Sequence, residues 1–236
     1  ENFKTSLPRP QDIEDVYNAI ARQGYTHVIV LMIAECLSSA NNLMRLAAEE
    51  HPELTVKVFD SKSASIGLGA LAVQVARYAV RGVAFDPLCE LTKRLIDDTV
   101  VYFSLDTLEY LQRGGRIGRA TALAGGLLQI KPILTFDRKD GMISIAAKVR
   151  GRRGVQQRLI ELATELAAKH PGEEYNLVVC DGNVPEEGAA LEAALTRALP
   201  NAHRVLHGKI DATLAVHLGP NLLGVGVQFL NSKLPA

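Results

Sequence analysis

LDTLEYLQRGGRIGRATALAGGLLQIKPIL, residues Leu105–Leu134, joins a helical pattern, a cationic loop and a smooth apolar stretch. Leucines three residues apart open the segment and predict a helix. Three arginines spaced three apart among three glycines follow at Arg113–Arg119. Guanidinium groups suit phosphate or carboxylate, and glycine lets the backbone approach a ligand closely. An alanine- and glycine-rich stretch then predicts a second helix over 120–128, which Lys131-Pro132 ends because proline disfavours the helical conformation in the residue before it.

Two interpretations of this segment remain open from its residues alone. A cationic loop beside a smooth apolar surface suits a ligand with an anionic head and an apolar body, because each part of the ligand would meet a matching surface. A surface loop followed by a tightly packed helix accounts for the same residues without any ligand.

The composition describes a globular chain with no bias toward nucleic acid. Its 236 residues are 47% hydrophobic and 22% charged, which allows one large domain or two modest ones. Lysine plus arginine and aspartate plus glutamate both total 26, and tryptophan is absent, so neither a basic field nor an aromatic stacking platform is expected. Three cysteines without metal-ligand spacing predict no metal site and fit a reducing cytoplasm. No apolar run reaches transmembrane length, so we expect a cytoplasmic protein without stable membrane insertion.

Alternating strand and helix patterns predict an α/β fold with two domains. Up to residue 100, continuous apolar runs such as 27–33 are typical of strands buried on both faces, and helical patterns separate them. We therefore predict an N-terminal domain over 1–100 with a mostly parallel, Rossmann-like sheet flanked by helices. Beyond it, two strand patterns around Lys139-Asp140-Gly141 indicate a hairpin, which predicts a C-terminal mixed-sheet α/β domain over 101–236.

Ser38 and His217 allow two chemical interpretations. As nucleophile and base they would make a hydrolase, but Ser38 lies in C-L-S-S-A and not in a G-x-S-x-G elbow, and no acid is marked to orient the histidine. As hydrogen-bond donors, together with Thr5, they would satisfy a buried carboxylate, which is costly to take out of water unpaired. The second interpretation needs no catalytic residue, and we favour it.

The segment Gly67–Ala72 fits the dinucleotide fingerprint G-x-G-x-x-A in form only. Its glycines lie inside a helical pattern, too far beyond the preceding predicted strand to open a phosphate-binding turn. Close packing of the helix is the better account, and no cofactor is predicted.

Several short motifs, in order along the chain, resemble those of the DegV-like proteins, bacterial fatty-acid-binding proteins that present acyl chains to a fatty acid kinase. The most specific are YLQRGGRIGRA, LLQIKPIL and GMI…KVRG. Lys4–Pro8 resembles the family's T-S-Q-P element, 37–40 its L-S-G-T element, 59–65 its D-S-x-x-x-S segment and 217–220 its H-x-G-P element. The resemblance covers the whole sequence.

This resemblance implies a role for each matching residue. Thr5 and Ser38 would hydrogen-bond the fatty acid carboxylate, and His217 would complete that site. Arg116 and Arg150 would lie near the head group, or would meet the partner kinase and the phosphoryl group that it adds. The protein would then have no catalytic residues, no metal and no cofactor. It would bind a long-chain fatty acid between its two domains and deliver it to a separate ATP-dependent kinase for phosphorylation at the carboxylate.

The sequence departs from the family pattern in several motifs. L-S-G-T reads Leu37-Ser38-Ser39-Ala40, the glutamine of T-S-Q-P is replaced by Leu7, and the G-P-G of the last motif reads Gly219-Pro220-Asn221. Family members usually begin with a strand and an Asp-Ser loop before the T-S-Q-P element. That opening is absent from this sequence, so we expect the N-terminal sheet to lack a strand.

An enzyme acting on a small phosphorylated metabolite is the alternative, with the Arg113–Arg119 loop as its phosphate cradle. The two functions require different cavities: long, dry and apolar for a fatty acid carrier, small and polar for the enzyme. The sequence marks no clustered acid–base pair, which favours the carrier.

Overall fold

The computed structural model describes residues 3–123 and 130–230. Its helices are α1 Pro10–Arg22, α2 Ala40–Glu49, α3 Ile66–Val80, α4 Phe85–Asp97, α5 Glu109–Arg113, α6 Gly151–Ala168, α7 Pro185–Ala198 and α8 Ala212–Leu218. Its strands are β1 His27–Met32, β2 Thr55–Asp60, β3 Thr99–Ser104, β4 Ile130–Phe136, β5 Ile143–Arg150, β6 Tyr175–Asp181, β7 Arg204–Lys209 and β8 Leu223–Phe229. A short 3-10 helix, Gly118–Leu123, follows α5. No helix within the two described ranges is long and apolar enough to cross a membrane.

The structure confirms the predicted α/β fold and divides its strands between two sheets. β1 and β2 form a two-stranded parallel sheet. The other strands form a six-stranded mixed sheet in the order β5-β4-β3-β8-β6-β7, in which β6 and β7 run parallel and the other neighbours run antiparallel. β3 continues the strand–helix alternation of the N-terminal half, yet it pairs with β4 and β8. The two sheets therefore separate in the chain between Asp60 and Thr99. The domain boundary at residue 100 stays a prediction.

The six-stranded sheet is covered on both faces, and two of its interior strands, β6 and β8, are buried at every position. Side chains of a strand alternate between the two faces. In β6, Leu177 and Val179 belong to a core cluster with residues of α6 and α7, whereas Val178 and Cys180 belong to a second cluster with Ile66 of α3. Fully burying a leucine or valine side chain contributes about 1.5–3 kcal/mol. The face toward α3 also carries the candidate site.

The predicted helix over 120–128 and its end at Lys131-Pro132 require a correction. Gly118–Leu123 forms a 3-10 helix, 124–129 lie outside the described residues, and both Lys131 and Pro132 lie inside β4. Proline has no N–H to donate and is tolerated where a strand is paired on one side. β4 pairs with β3 from Ile133 onward, whereas Pro132 lies opposite β5 alone. Pro132 therefore lies in the part of β4 that pairs with a neighbouring strand on only one side.

Candidate functional site

A cavity of about 380 Å³ lies on the face of the six-stranded sheet that α3 covers, within the size range of small-molecule sites. Most of its wall is apolar and is supplied by side chains of strands β3, β4, β5 and β6 and of neighbouring helices and loops. These side chains include Ile66, Val101, Phe103, Leu111, Phe136, Ile143, Cys180, Leu218 and Leu222. Its polar wall includes Thr5, Ser38, Arg116 and His217. The structure thus brings four of the predicted site residues to one cavity.

His217 lies in the last turn of α8, a helix that Asp211 caps by accepting a hydrogen bond from the N–H of Leu214 at 2.9 Å. Its Nε2 is 2.8 Å from Oγ1 of Thr5. Burial, followed by the positive charge of Arg116, lowers the pKa of His217 below its usual value. The ring is therefore neutral at pH 7, so Thr5 and His217 share one hydrogen bond whose direction depends on the tautomer.

Gly114 leaves the space in which this imidazole lies. A Cβ at position 114 would be 2.3 Å from Nδ1 of His217 and 3.1 Å from its Cε1. Gly114 has ordinary helical angles, φ −76° and ψ −10°, so the contact with His217 and not the backbone conformation requires glycine. Nδ1 is itself buried and has no hydrogen-bond partner among the residues that the structure describes.

Arg116 connects two loops at the wall of the cavity. Its Nε donates to the carbonyl of Leu37 at 3.1 Å, and its Nη1 donates to the carbonyl of Gly114 at 2.7 Å. Leu37 precedes Ser38 in the loop between β1 and α2, and Gly114 follows α5. The half-buried guanidinium group therefore links the loop that carries Ser38 to the turn against which His217 packs.

Ser38 is half-buried just before α2. Its Oγ accepts a weak hydrogen bond from the N–H of Ala40 at 3.3 Å. This contact uses a lone pair of the hydroxyl and not its proton, so the O–H remains able to donate to a ligand. The serine can thus support the start of a helix and still donate a hydrogen bond into the cavity.

A family model described as "Uncharacterised protein, DegV family" matches residues 1–230. The chain belongs to the DegV family. A DegV domain-containing protein of Clostridium acetobutylicum is 34% identical over 222 residues, which are 94% of this chain and 77% of that protein. Among solved structures, a DegV family protein from Thermus thermophilus described for its fatty acid binding matches with a TM-score of 0.88 at 30% identity, over 96% of this chain and 79% of that one. DegV from Bacillus subtilis, described as a fatty acid binding protein, matches with a TM-score of 0.85 at 28% identity, over 96% of this chain and 78% of that one.

The family match confirms the resemblance that the sequence motifs indicated. In this DegV-family chain, Thr5, Ser38 and His217, which come from three of the segments that resemble family motifs, all line the same cavity. These motifs are far apart in the sequence, and Thr5 and His217 are in direct hydrogen-bond contact. The individual roles of these residues toward a ligand stay predictions.

Arg150 lies apart from the other predicted site residues of this DegV-family chain. It is the last residue of β5, its side chain is exposed, and it does not line the cavity. The structure therefore places Arg150 away from the cavity in which a head group would lie. Its predicted contact with a partner protein stays a prediction.

The other two arginines of the glycine-rich loop have separate partners. Arg119 forms ion pairs with Asp137 at 3.2 Å and with Asp140 at 2.5 Å. The guanidinium carbon of Arg113 lies 5.7 Å from the ring centre of Tyr110, a cation–π contact. The contacts described for this loop therefore do not form a phosphate cradle.

Four further hydroxyl side chains on the cavity wall were not predicted from the sequence: Ser6, Ser39, Ser65 and Thr213. Ser65 precedes α3 and has a φ of +52°, a conformation that residues with a side chain rarely adopt. The available signals were its position just before a long apolar helix and its place as the last serine of the segment that resembles D-S-x-x-x-S. Cys180 was not predicted to line a site, and burial raises the pKa of this thiol to about 12, so it stays neutral and belongs to the apolar wall.

Proposed function

We propose that this DegV-family protein binds a long-chain fatty acid, with the carboxylate at the polar part of the cavity and the acyl chain along the apolar wall. The observation that carries the proposal is a single, mainly apolar cavity that Thr5, Ser38 and His217 share. Descriptions of the relatives from T. thermophilus and B. subtilis as fatty acid binding support it.

The polar residues match the needs of a carboxylate. A carboxylate that leaves water needs donors for its oxygens, and the hydroxyl of Ser38 and the Thr5–His217 pair can supply them. The positive charge of Arg116 at the wall adds a favourable field for an anion. Since His217 is neutral without ligand, the charge balance would come from Arg116 rather than from the histidine.

The acyl chain would supply most of the affinity. Burying a methylene group is worth about 0.8 kcal/mol, so about fourteen methylenes contribute on the order of 10 kcal/mol before ordering costs. The wall that would receive them carries leucine, isoleucine, valine and phenylalanine side chains and the neutral thiol of Cys180. A fatty acid held in this way would leave slowly.

We also propose that the protein delivers the bound acid to a separate ATP-dependent kinase in the cytoplasm, which phosphorylates the carboxylate. The resulting acyl phosphate is an activated acyl donor suited to phospholipid metabolism. We assign phosphoryl transfer to the kinase because, in this proposal, Ser38 and His217 hydrogen-bond the fatty acid carboxylate and do not act as a nucleophile and its base. Arg150, exposed at the end of β5, is the residue that we assign to contact with the kinase.

The alternative function, an enzyme acting on a small phosphorylated metabolite, has less support. It requires several arginines of the glycine-rich loop around one phosphate, whereas Arg119 is paired with two aspartates and Arg113 lies over Tyr110. It also requires a small polar cavity, whereas the wall found here is mainly apolar.

We expect the protein purified from bacteria to carry long-chain fatty acid. The affinity estimated above makes loss during purification slow, since the apolar chain would have to return to water. Denaturing the protein, extracting it with organic solvent and analysing the extract by mass spectrometry checks this. Stoichiometric phosphosugar with no lipid in the extract would contradict the carrier function and favour the alternative enzyme.

We expect Ser38→Ala to weaken fatty acid binding by about 1 kcal/mol, roughly fivefold, because one carboxylate oxygen loses its donor. Isothermal titration of the delipidated protein with a long-chain fatty acid measures the change. Thr196→Ala, at an exposed position of α7 outside the cavity, is the matched control and should bind as the unchanged protein does. Equal affinities for Ser38→Ala and the control would place the head group elsewhere.

A further inference from the structure

A second, smaller pocket of about 200 Å³ lies at the other end of α3 from the fatty acid cavity. Ile66, the first residue of α3, lines the fatty acid cavity. Gln74, Arg77 and Tyr78, in the second half of the same helix, line the second pocket. The two cavities are thus separate features of the molecule. The remaining wall of the second pocket consists of Arg81, Glu174, His203, Arg204 and Leu230.

The wall of this pocket is rich in unpaired positive charge. Three arginines face one carboxylate, although the chain as a whole has equal numbers of basic and acidic residues. Across residues 3–123 and 130–230, no ion pair involves Arg77, Arg81 or Arg204. Moreover, Nη1 of Arg77 is buried without a hydrogen-bond partner in the described part of the chain. A buried donor without an acceptor is unfavourable, so the pocket lacks an acceptor at this position.

A buried network of amides adds a further donor to the wall. Gln74 is only 5% exposed, and its Oε1 accepts a hydrogen bond from Nδ2 of Asn176 at 3.3 Å. The same Nδ2 donates to Oε1 of Gln228 at 3.1 Å, and Nε2 of Gln228 donates to Oγ1 of Thr99 at 3.2 Å. The Thr99 hydroxyl donates its proton to the carbonyl of Leu95 at 2.6 Å, so it must accept from Gln228, and this fixes which end of the Gln74 amide is the acceptor. The Nε2 end, which has no acceptor within the described ranges, is therefore left for the pocket.

We propose that this pocket binds a phosphate group, either as inorganic phosphate or as the phosphomonoester of a small molecule. Arginine, histidine and the amide nitrogen of Gln74 are donors, and phosphate offers several charged acceptor oxygens at once. One arginine can pair with Glu174, which leaves two for the anion. The volume of 200 Å³ suits a phosphate group and is below the usual size of sites for larger ligands.

Titration calorimetry of the full chain with inorganic phosphate and, separately, with glycerol 3-phosphate tests this proposal. We expect saturable 1:1 binding of at least one of them, and the tighter ligand identifies the free or the esterified form. Arg77→Gln and Arg204→Gln should each weaken binding by about fivefold or more, because each removes a charged donor. Arg204 is exposed at the start of β7, so its replacement keeps the test meaningful if Arg77→Gln folds poorly.

Two control variants locate the anion. Arg197→Gln removes an exposed arginine of α7, and Arg113→Gln removes one from the glycine-rich loop; neither residue lines the pocket. Both should bind phosphate as the unchanged protein does. No saturable binding of either ligand up to about 10 mM would overturn the proposal. Weakening by Arg113→Gln while the pocket variants bind normally would also overturn it, because the anion would then lie at the loop.

Discussion

A methyl group added at Gly114 is expected to lower fatty acid affinity by about thirtyfold or more, on the order of 2 kcal/mol. In Gly114→Ala the new Cβ would meet Nδ1 of His217 at 2.3 Å, which is too close for any stable contact. The imidazole must then move away, and it loses the contact with Thr5 that holds it at the cavity wall. Titration of the delipidated variant with a long-chain fatty acid measures the loss.

Gly69→Ala is the matched control for this experiment. Gly69 lies in α3, and a Cβ there would meet nothing within 4 Å. This variant should bind fatty acid as the unchanged protein does and should be more stable by about 0.5–1 kcal/mol, since alanine is favoured over glycine inside a helix. Wild-type affinity in Gly114→Ala, with the melting temperature unchanged, would show that the position of His217 does not matter for the ligand.

Much of the fold could be predicted because hydrophobic patterns report local structure. The apolar run at 27–33 and the pattern of Ile66–Val80 predicted the correct elements, because the first is short and rich in β-branched residues and the second is long enough for a helix. The partners of a strand are not a local property. β3 follows the same alternation as β1 and β2 but joins the other sheet, where β4 and β8 flank it on both sides. The prediction that Pro132 ends a helix was wrong for the same reason, because strand pairing is not visible in the local sequence. Pro132 is tolerated inside β4 because it pairs with β5 on one side only.

The candidate site was predictable where a family motif marked a residue and not where a contact decided it. Thr5, Ser38 and His217 lie together as the motifs implied. The role of Gly114 depends on its distance to a ring that is about a hundred residues away in the sequence, and no local pattern reports that. The two arginines, which the motifs treat alike, differ because Arg116 is held by two backbone carbonyls whereas Arg150 is exposed.

That difference predicts opposite behaviour for the two arginines. Arg150→Ala should leave fatty acid affinity unchanged and lower acyl-phosphate formation at least tenfold, about 1.4 kcal/mol, because the proposed function assigns this exposed guanidinium to the kinase contact and not to the ligand. Arg116→Ala should weaken fatty acid binding itself, because the carbonyls of Leu37 and Gly114 lose their common donor and the two loops separate. Affinity is measured by titration, and turnover with the cognate kinase and ATP at saturating fatty acid.

Arg22→Ala, at the exposed end of α1, is the control for loss of positive charge and should change neither quantity. The comparison separates effects on fatty acid binding from effects on phosphorylation by the kinase. At saturating fatty acid, weakened binding no longer lowers the turnover measured for each variant. If Arg150→Ala supports phosphorylation as well as Arg22→Ala does, then the end of β5 is not part of the kinase contact. The proposed kinase contact would then have to be sought around the mouth of the cavity, where Thr5 and Leu7 are exposed beside the proposed site of the carboxylate.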